Sequence, residues 1–408
     1  MKKNLLSNKR FMAYATGLCI DRFGNAVYSI VLPLLAYHIT KSFIDMGIMA
    51  ICQFFPRIIF GFIAGPLIDR SKKRNILFKA LIFQSFCSFL IALLYQSNSI
   101  QMWMLYAVGA LLSIGFEFSR TAEISVVPIM FKEHKVDAIT NLATIHTIMF
   151  IAGPTIGGLL LEITSYGTLL WINSLSYLGP IIFCIWSQIP NEKIVTDSNG
   201  VKGVLDDMKK GVQFIKENLF LKNLIILTLF NGAATSGIQT VILFYAKDHL
   251  SLSDGQTGLF FGIEGLGMLF GSLFVKKFKS IKREKFLQIC LLLNLFASFL
   301  FLWPHTETLL LGQLLISMGS FSYLVSMDVI IQQLTPENML GRVTGLFRLL
   351  NYLIFVLSTA GRSLLIDKTS ILNIFLLSTI LIFLASCLAS LYFSGKSEKD
   401  RKIEFANT

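Results

Sequence analysis

Long apolar runs recur along the whole chain, and each is close to 20 residues in length. A helix needs about 20 residues to cross a hydrocarbon core about 30 Å thick. Backbone groups in lipid must be hydrogen-bonded within the segment, so runs of this kind form helices. The pattern therefore predicts twelve membrane-spanning helices, near residues 11–36, 43–65, 75–95, 102–127, 139–163, 166–187, 223–246, 255–275, 285–303, 308–331, 343–366 and 370–394.

One long polar stretch, residues 188–222, separates the first six predicted spans from the last six. In its second part apolar residues recur at helical spacing, at Val204, Met208, Val212 and Ile215. We predict an amphipathic surface helix there. The chain then divides into an N-terminal six-helix half over 1–187, a linker over 188–222, a C-terminal six-helix half over 223–394 and a tail over 395–408.

The two predicted halves share short segments at nearly the same offset. LLSIG at 111–115 is similar to LISMG at 315–319, 204 positions later. Gly65, at the end of the second span, corresponds to Gly271 near the end of the eighth, 206 positions later. Both offsets are close to half of the chain length, which indicates an internal duplication. Transporters are commonly built from such repeats, with a substrate site near the bilayer midplane.

The distribution of basic residues indicates the topology. The chain is 54% hydrophobic and 15% charged, with a net charge of +12. If the N-terminus is cytoplasmic, 27 of the 36 lysines and arginines lie in cytoplasmic connections and three in external loops. This is the positive-inside pattern. We predict a multi-pass protein of the cell membrane with both termini in the cytoplasm. The basic charge sets orientation, so we predict no nucleic-acid partner.

The loop after the second span carries a specific motif. Residues 61–74 read GFIAGPLIDRSKKR. They resemble the Gly-x-Leu-Ala-Asp-Arg-x-Gly-Arg-Lys signature of the major facilitator superfamily, although Lys72 stands in place of the second glycine. The resemblance implies an all-α integral membrane fold of twelve helices in two halves, which works as a monomer on small molecules. The matching residues are Gly65, Leu67, Asp69, Arg70, Lys73 and Arg74.

The resemblance also implies a conformational switch at this loop. Gly61 and Gly65, four residues apart, allow a neighbouring helix to approach closely. A carboxylate such as Asp69, just past a helix end, can interact with the positive N-terminus of another helix. By resemblance that helix is the eleventh span, so we expect Asp69 to latch the two halves and release them on switching. We assign the switch to Gly61, Gly65, Asp69, Arg70, Arg74, Gly341 and Arg342.

A second motif lies in the fifth span, where residues 152–158 read AGPTIGG. It is similar to the Gly-Pro-x-x-Gly-Gly motif of the antiporter, or export, branches of the same superfamily. Proline removes a helical hydrogen bond, and glycines permit bending and tight packing. Residues 335–343, TPENMLGRV, resemble the corresponding loop of macrolide-efflux and siderophore-export members. Together they favour export over import, and the motif residues are Gly153, Pro154, Gly157 and Gly158.

Several charged residues lie inside the predicted spans, where each costs about 2.5–3.5 kcal/mol at the helix centre. Asp21 lies roughly 15 Å into the first span. Its neighbour Arg22 points about 100° away on the helix, so we expect no pair between them. Glu117 and Arg120 share a helix face and could form a structural ion pair. The candidates for proton or substrate binding are Asp21, Arg22, Arg57, Glu117, Arg120, Glu123, Glu264 and Arg348.

The leading interpretation is a secondary transporter that exports a small amphipathic molecule, in exchange for protons. Buried arginines, with Arg362 among them, suit carboxylates, so a dedicated exporter of an anionic or zwitterionic metabolite such as a carboxylate siderophore is the alternative. A membrane enzyme is a remote third possibility, because the sequence shows no catalytic cluster. We predict no cofactor and no metal, since the six cysteines show no CxxC spacing. The expected partners are a small-molecule substrate, protons and the lipid bilayer.

Overall fold

The computed structural model describes Leu5 and residues 8–69, 71–131, 134–186, 200–278, 280–366 and 368–394. These residues form fifteen α-helices and no β-strand. The first seven are α1 (Lys9–Thr40), α2 (Phe43–Asp69), α3 (Lys73–Gln96), α4 (Met102–Met130), α5 (Lys135–Ile163), α6 (Tyr166–Ser176) and α7 (Leu178–Trp186). The other eight are α8 (Gly200–Glu217), α9 (Leu219–Thr235), α10 (Ile238–Asp248), α11 (Asp254–Lys277), α12 (Arg283–Leu300), α13 (Thr306–Leu334), α14 (Glu337–Ile366) and α15 (Ile371–Ser394).

The chain divides into two compact units. The first unit comprises residues 1–201 with 252–262, and the second comprises 202–251 with 263–408. Helix α11 therefore has its first turns in the first unit and the rest of its length in the second. Each unit has an apolar core of its own. Phe11, Leu77 and Val126 are among the buried residues of the first core, and Leu224, Leu287 and Ile331 are among those of the second.

Eleven stretches of the described helices are long and apolar enough to cross a membrane. This confirms the predicted all-α membrane fold, but it is one span fewer than the twelve that hydropathy predicts. The predicted ninth span corresponds to α12, which is not among these eleven stretches. That helix has only 18 residues and begins with Arg283, Glu284 and Lys285. Its short length and these three charges set α12 apart from the other eleven stretches.

Two predicted spans are interrupted by breaks that hydropathy did not reveal. The sixth span consists of α6 and α7, which are separated at Tyr177. Pro180 follows three residues later, and its missing N–H removes the helical bond to the Ser176 carbonyl. The seventh span consists of α9 and α10, which meet at Gly237 with a φ of 74°. Glycine adopts this left-handed conformation without steric cost, so the chain bends there.

Large apolar side chains cover much of the outer surface of both units. Phe86, Ile163 and Leu391 are 61%, 79% and 70% exposed. Water-soluble monomers rarely expose large contiguous apolar patches, whereas lipid solvates them. Trp103 and Trp303 are also more than 60% exposed and lie next to helix ends. Tryptophan is enriched at that level of a bilayer, where apolar and polar surroundings meet.

The same local contact recurs in both units at the repeated segment. A Cβ atom on Gly115 of α4 would lie 2.6 Å from Cγ of Gln84 in α3. A Cβ atom on Gly319 of α13 would lie 3.0 Å from Cγ of Asn294 in α12. In each unit a glycine thus makes room for a buried amide side chain of the preceding helix. This shared contact supports the internal repeat.

Candidate functional site

A cluster of charged side chains lies buried between α1 and α4 in the first unit. Nη2 of Arg22 donates a hydrogen bond to Oε2 of Glu123. Nη1 of Arg22 is 3.5 Å from Oδ2 of Asp21, so the adjacent residues form an ion pair. The expectation that they would not pair is wrong, because the long arginine side chain reaches back across the 100° between adjacent positions. Asp21 and Arg22 are only 3% and 7% exposed.

Two uncharged residues extend this cluster, and the sequence analysis did not identify them. Nδ2 of Asn25 donates to Oδ1 of Asp21 at 2.9 Å, one helical turn away. The Tyr177 hydroxyl donates to Oδ1 of Asn25 at 2.8 Å. The carboxylate in α1 is thus connected to the break between α6 and α7. A polar residue four positions after an intramembrane aspartate was the signal that could have identified Asn25.

Two arginines lie against the ring of Phe116, which is in α4. Cζ of Arg57 is 4.6 Å from the ring centroid, and Cζ of Arg22 is 5.5 Å from it. Both distances are within the range of cation–π attraction. Nε of Arg57 also donates to Oγ of Ser113 at 3.3 Å, one turn before Phe116. Phe116 therefore joins Arg57 of α2 to the cluster around Arg22, which the charge pattern alone did not indicate.

Glu117 and Arg120 form no ion pair with each other among the residues that the structure describes. The structural pair suggested by their spacing is therefore wrong. Oε2 of Glu117 is buried without a hydrogen-bond partner in that part of the chain. Its Oε1 faces α2, where a Cβ on Gly61 would lie 3.5 Å from it. The missing side chain at Gly61 leaves space that the Glu117 carboxylate occupies, while Arg120 is half-buried.

The charged candidates of the second unit have different surroundings. Glu264 of α11 is half-buried and accepts a hydrogen bond from Nε2 of Gln239 in α10. Arg348 of α14 is exposed, as is Asp328 of α13. Gln239 is a further polar residue in an apolar span that the sequence analysis missed, because an uncharged amide is less costly in a membrane helix than a charge and is therefore less conspicuous.

Arg362 has a structural role. The expectation that it is one of the arginines available to an anionic substrate is therefore corrected. It is only 3% exposed. Its guanidinium donates to the carbonyls at the C-terminal end of α9, a place where helices leave carbonyls unpaired. Its partners are the carbonyls of Ala233, Ala234 and Ser236 and the hydroxyl of Ser378. Because these bonds occupy the guanidinium, we do not regard Arg362 as a substrate group.

The glycine-proline motif of α5 packs closely against two other helices of the first unit. A Cβ on Gly157 would lie 3.1 Å from Cγ1 of Val27 in α1. A Cβ on Gly158 would lie 2.5 Å from Cα of Gly258 in the first turns of α11. Gly153 also faces α1, at Ala26, and Pro154 lies inside the helix. The close contacts of α5 with α1 and with the first turns of α11 are thus possible because the motif positions are glycines, which have no side chain.

The sequence model of the Major Facilitator Superfamily matches residues 14–359, and again residues 224–407. The chain belongs to the major facilitator superfamily. The uncharacterized MFS-type transporter YfiS of Bacillus subtilis is 24% identical over 222 residues, which are 53% of this chain and 52% of that one. The match therefore spans about half of that relative.

A second relative and one solved structure are similar to this chain over about two thirds of its length or more. Macrolide efflux protein A of Streptococcus pyogenes is 20% identical over 279 residues, 67% of this chain and 68% of that one. A crystal structure of the nucleoside transporter NupG gives a TM-score of 0.75 at 14% identity, over 93% of this chain and 100% of that one. Such low identity shows the shared fold alone. The chain is thus a multi-pass membrane protein of the major facilitator superfamily.

The residues assigned to the superfamily's switch motif lie at the ends of α2, α3 and α14. Gly65 lies in α2, which ends at Asp69, whereas Arg70 and the side chain of Asp69 lie outside the described part of the chain. Nε of Arg74 donates to the Cys184 carbonyl at 3.1 Å. Gly341 is exposed, and a Cβ there would meet nothing within 4 Å. Arg342 pairs instead with Asp207 of α8, a partner that the motif does not predict.

Proposed function

We propose that this transporter exports a small amphipathic molecule by alternating access, in exchange for protons. The observation that carries the proposal is the buried cluster of Asp21, Arg22 and Glu123 in the membrane-spanning part of the first unit. Two carboxylates share one guanidinium, so a single proton is enough to make the cluster neutral. Ionisable groups at such depth are costly and are typical of proton and substrate pathways.

Export is supported by the motif in α5 and by one relative. Gly153 and Gly157 of the Gly-Pro-x-x-Gly-Gly motif pack directly against α1, the helix that carries Asp21 and Arg22. Bending of α5 at Pro154 would therefore displace Ala26 and Val27 of α1, and with them the charged cluster. Macrolide efflux protein A is named as an efflux protein. We infer that both termini lie in the cytoplasm and that the protein works as a monomer.

The proposal is tested by macrolide efflux from cells that express the chain. Cells are loaded with a radiolabelled macrolide, and its loss is followed with and without an uncoupler. We expect efflux that the uncoupler abolishes and that Asp21→Asn reduces by at least about tenfold, as for an essential coupling group. Asp137→Asn is the matched control, because Asp137 lies in α5 of the same unit with a 69% exposed side chain. Equal efflux by wild type and Asp21→Asn would remove Asp21 from the coupling mechanism.

A dedicated exporter of an anionic or zwitterionic metabolite is the second candidate. Arg120 is half-buried in α4 and has no hydrogen bond or ion pair with the described residues. It lies one helical turn from Phe116, whose ring Arg22 and Arg57 face. This concentration of guanidinium groups suits a carboxylate, which arginine can bind in a bidentate manner. Under this candidate the cells export a carboxylate siderophore and not a macrolide. Arg120→Gln then reduces the rate of siderophore efflux.

A further inference from the structure

Helix α8 of the linker lies against the start of α14 within the second unit. Oδ1 of Asp207 and Nη2 of Arg342 are 2.8 Å apart, and the two side chains are 49% and 30% exposed. Nη1 of Arg342 also contacts the sulfur of Met339 at 3.0 Å, one turn earlier on α14. The guanidinium thus lies between a carboxylate of the linker and its own helix.

A glycine in α8 allows the two helices to approach closely. A Cβ on Gly211 would lie 2.8 Å from Cδ1 of Leu346 and 3.3 Å from Cβ of Arg342. The first distance is shorter than an ordinary van der Waals contact between carbons, which is about 3.5–4.0 Å. Gly211 is buried in this contact. A side chain at this position would displace the end of Leu346 and press on Cβ of Arg342, so the sequence of α8 fits a docked helix.

The contact residues of α8 form one stripe. Asp207, Gly211 and Ile215 are spaced by four positions, which places them on the same helix face. Ile215 is 5% exposed and belongs to the apolar core of the second unit, as does Val343 of α14. Lys209, on the other side of α8, is 82% exposed. The helix therefore docks along one face, in addition to any interaction that its amphipathic surface has with lipid.

The docked stripe shares only Ile215 with the apolar face that the sequence analysis predicted. Val212, expected on the apolar face with Met208 and Ile215, is 39% exposed. The side chain of Val204 lies outside the described part of the chain. The contact is instead completed by Gly211 and Asp207, which a search for apolar residues does not select.

We propose that α8 is a clamp on α14, and that the Asp207–Arg342 pair opens and closes during transport. Arg342 stands in the segment to which the superfamily resemblance assigns the conformational switch. Ion pairs between partly exposed side chains contribute little to folding stability. This pair can therefore break and re-form without unfolding the second unit, while Ile215 keeps α8 close to its docking site.

The docking of α8 on α14 does not depend on the substrate or on the coupling ion. Only the effect of the clamp on transport rate rests on the proposed function. The two parts are therefore measured separately, docking by hydrogen exchange in the purified protein and transport rate by macrolide efflux from cells.

The test is a charge-reversal cycle with Asp207→Arg, Arg342→Asp and the double variant. We expect each single reversal to speed backbone hydrogen exchange in residues 206–217 by about three- to tenfold, because local opening exposes the helix. The double variant restores the pair in the opposite sense and should return exchange to the wild-type rate. Asp206→Asn is the matched control, since Asp206 is the adjacent residue, with a 66% exposed side chain that lies 3.8 Å from Lys209.

Transport gives the second measurement of the same four variants. We expect the single reversals to change the macrolide efflux rate by at least about threefold, which corresponds to the coupling of a close charge pair, and the double variant to recover it. Exchange that the single reversals leave unchanged, or that the double variant does not restore, overturns the docking pair. The clamp is overturned if the double variant restores hydrogen exchange but none of the variants changes the macrolide efflux rate. A wild-type protein that exports no macrolide contradicts the proposed substrate, and the exchange cycle still decides the docking.

Discussion

Arg22 of α1 donates a hydrogen bond to Glu123 of α4, although the two residues are 101 positions apart in the chain. Arg22 is buried and the Glu123 side chain is only 15% exposed, and the pair is bordered by Asp21 and by the ring of Phe116. Burying an ion pair removes both charges from water, and the attraction offsets that cost only while both partners are present. The pair therefore makes α1 and α4 dependent on each other.

Removal of Arg22 should destabilise the first unit. In Arg22→Leu two carboxylates stay buried without their cation, and the loss of one partner of a buried pair costs about 3–5 kcal/mol. We expect a lowered thermal midpoint of the purified protein, measured by the exposure of its buried cysteines to a thiol-reactive dye. The triple variant Arg22→Leu, Glu123→Leu, Asp21→Asn should recover most of the midpoint, since apolar replacement of a buried pair is often neutral.

The same variants separate stability from transport. The triple variant removes the charges of Asp21, Arg22 and Glu123, so we expect it to fold and to export no substrate. A triple variant that is as unstable as Arg22→Leu would contradict the view that unpaired charge causes the loss. One that folds and transports at the wild-type rate would show that the cluster has no part in coupling.

Gly158 of α5 should not tolerate a side chain. A Cβ at that position would lie 2.5 Å from the backbone Cα of Gly258 and 3.0 Å from the Asp254 carbonyl. Backbone atoms cannot rotate away, so Gly158→Ala must displace the first turns of α11, at a cost of about 1–3 kcal/mol. We expect a lower thermal midpoint and reduced efflux.

Gly361 of α14 provides the control for this substitution. A Cβ there would meet nothing within 4 Å. Alanine is favoured over glycine inside a helix by about 0.5–1 kcal/mol, so Gly361→Ala should be neutral or slightly stabilising. If the two substitutions change the midpoint equally, the close contact between α5 and α11 does not determine the result.

Hydropathy predicted most of the membrane spans because lipid imposes a length of about 20 apolar residues on each. It did not predict the breaks at Tyr177 and Gly237, since the apolar run continues through both. A break depends on a few backbone hydrogen bonds and on one φ angle, and neither changes the mean hydropathy. Pro180 and Gly237 were visible in the sequence, but proline and glycine are both frequent in unbroken membrane helices.

The charged positions were predictable, whereas their partners were not. Spacing along one helix places Glu117 and Arg120 on a shared face, and it suggested a pair that the described residues do not form. The partners of Arg22 and Arg342 come from other helices, α4 and α8, and are set by packing. Spacing within one helix contains no information on which neighbour faces it, and so the pairs followed only from the structure.

Asp69 is predicted to be a switch residue from its motif alone. Asp69→Asn keeps the size of the side chain and removes the charge that would interact with a helix N-terminus. We expect reduced efflux at unchanged expression and thermal midpoint, because a latch that must release adds little to folding. Asp45→Asn, at the other end of α2 where Tyr106 donates to the carboxylate, is the control for a general effect on this helix. Unaltered efflux by Asp69→Asn would exclude the latch.

Arg362 should be essential for stability and dispensable for substrate recognition. Its guanidinium reaches three carbonyls near the end of α9 and the Ser378 hydroxyl, with planar geometry that lysine cannot reproduce. Arg362→Lys should leave some of these carbonyls unpaired, at about 1–3 kcal/mol for each buried group. We expect a lower thermal midpoint with an unchanged KM for the substrate in the protein that remains folded. A capping role affects the fraction of folded protein and not the affinity of the folded molecules for substrate. A raised KM at an unchanged midpoint would therefore mean that Arg362 contacts substrate during the cycle.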